Sequence, residues 1–176
     1  MQWHDLEQQQ PRLAHRAYER LIAPGVVLVA TIRRDGTPRL SPVEPFLLDG
    51  GLWLSMLWQS RKAVDLKHDP RLLVHGIVTN RDGADGEVKV RGHARAEDDE
   101  AVQRRYADAV AAALGWSPLI GRFHLFKVEI GDVVSIRYGD DGDQFVARWP
   151  PAREFVRRGT SATSIGNPEP VRDLLD

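Results

Sequence analysis

Four kinds of hydrogen-bond donor meet within three residues of this sequence, at Ser60, Arg61 and Lys62. They lie in the stretch WQSRKAVDLKHDPR, residues 58 to 71. Ser60 is a natural helix N-cap. Asp69-Pro70 ends a helix, because the residue before proline avoids the α region. The spacing predicts a short helix over Arg61 to His68. Its first N–H groups have no partner within the helix, and the aligned peptide dipoles make that end positive. A serine hydroxyl, a planar guanidinium and an ammonium added there make a donor set suited to a phosphate. A bound anion would turn a local repulsion into attraction. The alternative is a solvated helix start, where each cation costs about 0.3–1 kcal/mol. On these three residues both readings stay open.

The totals narrow the classes. The chain has 176 residues, enough for one domain with a real core. Hydrophobic residues make up 42% and charged ones 28%, ordinary values for a globular protein. A net charge of −1 gives no support to a nucleic-acid or membrane-surface role. With no cysteine, disulfides and thiolate metal sites are excluded, and a reducing, cytoplasmic location is expected. The polar start MQWHDLEQQQ has no apolar signal core, and no apolar run approaches the roughly 20 residues that span a bilayer.

The elements that must position the three donors follow from local patterns. Pro11 to Ile22 reads as a helix with an apolar stripe of Leu13, Ala14, Ala17, Tyr18 and Leu21. VVLVATI, residues 26 to 32, reads as a strand buried on both faces. Asp35-Gly36 turns the chain into a return strand from Pro38 to Leu48. Pro42 and Pro45 make that strand an edge or a bulge, where Ser41, Pro42 and Val43 can face a ligand or partner; protection of an edge from aggregation is the alternative. LWLSML follows, and this paired unit delivers the chain to Ser60.

Beyond the short helix, residues 72 to 79 read as a strand. Residues 87 to 97 alternate: Val88, Val90, Gly92, Ala94 and Ala96 share one face, and Glu87, Lys89, Arg91, His93 and Arg95 the other. Asp98 and Asp99 begin a helix to Leu114, with Gly115 at its end. FHLFKVEI, VVSIRYG and QFVARW read as further strands, and the tail from Pro150 as an arm or loose end. The expected fold is mainly β (α+β): an antiparallel six- to seven-stranded split β-barrel with peripheral helices. Residues 1–150 form the domain and 151–176 a C-terminal tail or dimer arm.

Taken together, TIRRDGTPRLSPV, DGGLWLS and SRKAVDLKHDPR, followed by EVKVRGHARAE and a helix, resemble the pyridoxamine 5′-phosphate oxidase-like, flavin-binding split-barrel superfamily. The resemblance spans about residues 20 to 138. It implies a homodimer with a cofactor groove between subunits, holding flavin mononucleotide (FMN) or, in some branches, the deazaflavin coenzyme F420. Ser60, Arg61 and Lys62 match the phosphate-binding segment. Arg39, Ser41, Pro42 and Val43 match the strand along the flavin. Met56 and Trp58 would lie near the ring or ribityl chain, and Glu87 matches a position that can face the cofactor. The C-terminal Arg-Leu-His-Asp-Arg-like substrate motif of the true oxidase is missing from QFVARWPPAREFVRRG, so its substrate is not carried over. Trp149 is expected in the core or tail, with capping of a partner's flavin as the alternative.

The expected function is a flavin-dependent oxidoreductase acting on a small molecule, with FMN ahead of F420. Arg33, Arg34, Arg39, Arg61 and Lys62 could build the broader basic groove that F420 would favour. The alternative is a flavin- or haem-binding protein without turnover, with His75, His93 or His124 as a haem ligand. No acid–base pair, zinc spacing or Gly-x-Gly-x-x-Gly pattern is present, so the catalytic residues are unassigned and no metal is expected.

Overall fold

Hairpin signals and alternating apolar residues dominate the chain, and they fold around a main core and a smaller cluster. The computed structural model describes residues 1–172 and Leu174. Its strands form a single ten-stranded antiparallel sheet, running β10-β9-β8-β7-β6-β5-β1-β2, with β4 also paired to β7 and β3 to β4. The strands are β1 (Val27–Ile32), β2 (Pro38–Val43), β3 (Pro45–Leu48), β4 (Gly51–Leu57), β5 (Arg71–Gly76), β6 (Glu87–Glu97), β7 (Phe123–Tyr138), β8 (Gln144–Trp149), β9 (Arg153–Ser161) and β10 (Ser164–Pro170). The helices are α1 (Trp3–Gln9), α2 (Pro11–Ala17), α3 (Arg61–His68) and α4 (Glu100–Leu114), with a π-helical turn at Tyr18–Ile22.

The barrel arises where the sheet changes partners, at the β2–β3 break and along β7, which pairs with β4, β6 and β8. The stretch expected as one strand from Pro38 to Leu48 breaks at Glu44. Its first half pairs with β1 and its second half with β4. Pro38 and Pro42 sit on β2, which has no neighbour beyond it in the ladder, so their missing N–H groups cost no pairing. The ladder does not close, which makes this a split barrel.

At the opposite side, residues 123–138 form one 16-residue strand where two were expected. β7 pairs with β4 through Phe123 to Val128 and with β8 through Val133 to Tyr138. Gly131, which lies between the two expected strands, is the extra residue of a bulge: Gly92 faces Ile130 while Arg91 faces Asp132. A Cβ on Gly92 would lie 2.1 Å from the Glu129 carbonyl oxygen, so no side chain fits there.

Three other differences have local causes. An additional helix, α1, precedes the expected one and buries Trp3 and Leu6; the expected helix starts at Pro11 and ends in a π turn closed by Ala23 N–H donating to the Tyr18 carbonyl at 2.9 Å. That wider turn rotates Tyr18 out of the expected stripe to 47% exposure, while Leu13, Ala14, Ala17 and Leu21 stay buried. On β1, Val27, Val29 and Thr31 are buried but Leu28, Ala30 and Ile32 are half-exposed, because the sheet's outer face is open there. Residues 153–170, expected as an arm or a loose end, form the hairpin β9–β10 on β8. Their polar sequence hides this, since backbone ladders and Thr160, Ser161 and Ser164 hydroxyl bonds hold the hairpin.

A main core fills the barrel between α1, α2, α3 and the inward faces of the strands. A second cluster of Trp53, Tyr106, Val110, Phe123 and Leu125 seats α4 on β4 and β7. The predicted ends of α4 hold: Asp99 accepts the Ala101 N–H at 2.8 Å, and Gly115 takes a left-handed φ of 75°. Among the described residues, no helix is long and apolar enough to cross a membrane.

Candidate functional site

The chain reaches α3 through a tight turn. Gln59 adopts a left-handed φ of 58°, and Ser60 N–H donates to the Leu57 carbonyl at 3.0 Å. His124 anchors this turn from β7: its Nε2 accepts the Gln59 N–H at 3.2 Å, and Trp58 stacks on its ring at 4.6 Å and 18°. Burial lowers the His124 pKa, with the nearby Lys67 charge adding to the effect. The neutral ring carries its proton on Nδ1, which leaves Nε2 free to accept.

Ser60 is the extended N-cap residue, at φ −61° and ψ 142°, yet its side chain caps nothing. Its Oγ is buried and has no hydrogen-bond partner. Arg61 is exposed and Lys62 half-buried. Among the described residues, neither cation has an ion-pair partner. Three side-chain donors at one positive helix end are therefore unused by the fold, although an unpaired buried hydroxyl costs about 1–3 kcal/mol.

Beside them lies a cleft of about 560 Å³. Pro42, Val43, Met56 and Lys62 line one side, and Trp116, Leu119 and Arg122 from the α4–β7 loop line the other. Arg39 reaches α3 by a different route: its Nε donates to Asp65 Oδ2 at 2.6 Å. Ser41 shares the Arg39 face of β2 without lining the cleft. Trp58 is 46% exposed and covers His124 instead of lining the cleft.

Glu87 does not line this cleft. Its carboxylate accepts from His75 Nε2 and Lys89 Nζ, each at 2.8 Å, and from Tyr138 OH at 3.3 Å. Burial pushes the Glu87 pKa up, but the Lys89 and His75 hydrogen bonds outweigh it, and the net shift is below the usual 4.5. A carboxylate held low stabilises the fold above its ordinary range, and that contribution fades as pH falls through the lowered value. Glu87→Gln should therefore cost about 1 kcal/mol near neutral pH, with the difference from wild type shrinking in acid. Urea denaturation at pH 7 and below pH 4 checks this; a difference that grows in acid contradicts it.

The residues missed by sequence reasoning are Thr31 and Asp65, which hold Arg39, and Arg122. Asp65 could have been noticed four residues after Arg61, hence on the same helix face. Thr31 and Arg122 carry no sequence signal, because the first depends on the β1–β2 register and the second on how the α4–β7 loop folds back.

Comparison with known proteins places this geometry. No functionally curated protein matches the sequence. A nimC/nimA family protein from Clostridium acetobutylicum has a similar structure, with a TM-score of 0.59, 20% identity, and 83% of this chain and 99% of that chain covered. HutZ, the heme storage protein from Vibrio cholerae, gives 0.55 at 18% identity, covering 69% and 89%. An F420 reductase gives 0.50 at 20% identity, covering 66% and 94%. At these identities the likeness is one of fold. The family model described as pyridoxamine 5′-phosphate oxidase matches residues 13–137, from α2 through nearly all of β7. By that match, which takes in both the split barrel and the helix start at Ser60, the chain belongs to the pyridoxamine 5′-phosphate oxidase family.

Proposed function

We propose that this chain is a flavin-dependent oxidoreductase. It holds FMN, or else F420, by a phosphate at the start of α3, and acts on a small molecule as one half of a homodimer. The observation that carries the reading is the buried, unpartnered Ser60 Oγ between a free positive helix end and two unpaired cations. That donor set fits a phosphate group, which would satisfy the hydroxyl and neutralise the local charge. When bound, the flavin supplies the hydride chemistry. The chain's residues anchor and orient: Ser60 donates, Arg61 and Lys62 balance charge, and Pro42, Val43 and Met56 keep water from one wall of the cleft. Leu40, 62% exposed on the uncovered strand β2, supports a face that a second copy covers.

A second reading is haem binding without turnover, and one observation favours it. His93 is exposed and lines a separate cleft of about 500 Å³ with Ala30, Ile32 and Leu73, flanked by Arg71 and Arg91. The other two candidate ligands are engaged: His75 holds Gly76 and Glu87, and His124 takes the Gln59 N–H.

Absorption spectra of the purified protein with FMN, F420 and haemin separate the readings. A perturbed flavin band that a reduced nicotinamide or another donor bleaches supports the oxidoreductase. A Soret band lost in His93→Ala supports the second reading. No change with FMN or F420 overturns the first. Sedimentation of the same sample should give the mass of two chains, and the mass of one chain would remove the dimer.

A further inference from the structure

A buried carboxylate near a prospective phosphate site needs an explanation, since it opposes the anion and costs free energy to desolvate. Asp65, at 7% exposure on α3, is such a group. One of its oxygens, Oδ2, accepts both Thr31 Oγ1–H at 2.9 Å and Arg39 Nε–H at 2.6 Å. Arg39 is fixed by its Nε edge, and its two outer nitrogens have no partner among the described residues. Asp65 lies one helical turn after Arg61, on the same face of α3.

We infer that Asp65 is a positioning residue: with Thr31 behind it, it pins Arg39 against α3 so that the outer guanidinium edge serves as a third cation beside Arg61 and Lys62. The inference rests on the phosphate site proposed above. The carboxylate works by geometry and not by charge, because its charge opposes the anion. Holding one edge of a guanidinium costs little of its capacity, since the planar fork offers five N–H donors and only one is used here.

The test compares FMN with riboflavin, which lacks the phosphate, by fluorescence titration of wild type, Asp65→Ala, Asp65→Asn and Arg39→Ala. Wild type is expected to prefer FMN. Asp65→Ala should weaken FMN about tenfold and leave riboflavin within about twofold. Asp65→Asn keeps an oxygen for Thr31 and Arg39 while losing the opposing charge, so FMN affinity should stay within about threefold of wild type. Asparagine also preserves the packing if the alanine variant does not fold. Adding Asp65→Ala to Arg39→Ala should weaken FMN no further, the mark of two residues acting through one contact. Parallel loss of FMN and riboflavin in both Asp65 variants would mean a purely structural role. A wild-type FMN preference that survives in Asp65→Ala, or in Arg39→Ala, would overturn the inference and leave the phosphate site standing. Absence of any FMN preference in wild type would remove both.

Discussion

Replacing Arg61 and Lys62 together by alanine should weaken FMN binding by about 3 kcal/mol, on the order of a hundredfold, with riboflavin affinity left within about twofold. A charge-assisted hydrogen bond contributes about 1.5–3 kcal/mol. The lower end applies because Arg61 is exposed and Lys62 half-buried, so water competes for both. Added salt should reduce the wild-type affinity and affect the variant less. The same double variant should be no less stable than wild type without ligand, since it removes two cations from a positive helix end. Binding lost while stability holds or rises is the signature of side chains kept for a ligand. Unchanged FMN affinity would sink the phosphate-site proposal.

Trp149→Ala should cost about 3–5 kcal/mol of folding stability, read as a lower urea midpoint. Trp149 is 2% exposed and belongs to the main core. Its Nε1–H donates to Gln9 Oε1 at 3.1 Å, which ties β8 to α1. Truncation would leave a large cavity under the N-terminal helices and an unpaired amide. Trp149→Phe keeps most of the packing and should cost about 1–2 kcal/mol less. This burial also removes the possibility, raised by the sequence, that Trp149 caps a flavin in a partner. An alanine variant as stable as wild type would mean that the core closes without this side chain.

Local rules made much of the scaffold legible. Ser60 and Asp69-Pro70 bounded α3, strict alternation bounded β6, and Asp99 with Gly115 bounded α4. The same rules failed where tertiary pairing overrode local preference. Gly131-Asp132 separates two expected strands, yet Gly131 is a bulge and Asp132 is buried under Arg91 and Arg148 inside one long strand. Pro168 and Pro170 argue against a strand, yet they stand on β10, an edge with no further neighbour. In the site, Lys62, Pro42, Val43 and Met56 meet at one cleft. Glu87 stands in its own network with His75 and Lys89, which sequence alternation could not distinguish from a ligand-facing position. Thr31 was invisible, and Asp65 showed only its place on the Arg61 face of α3, because the meaning of both depends on a contact with Arg39 across the fold.

The burial of α1 and α2 bears on how the chain is made. Trp3, Leu6 and Leu13 are translated well before Val128, Ile130 and Trp149, which belong to the core that covers them. Contacts this distant in sequence slow folding. Until the strand that ends at Trp149 has been synthesised, the apolar faces of the first two helices have no completed wall to dock on. During synthesis that segment is exposed hydrophobic surface, open to chaperones and to neighbouring nascent chains. These helices are thus made long before the strands that give them their native surroundings.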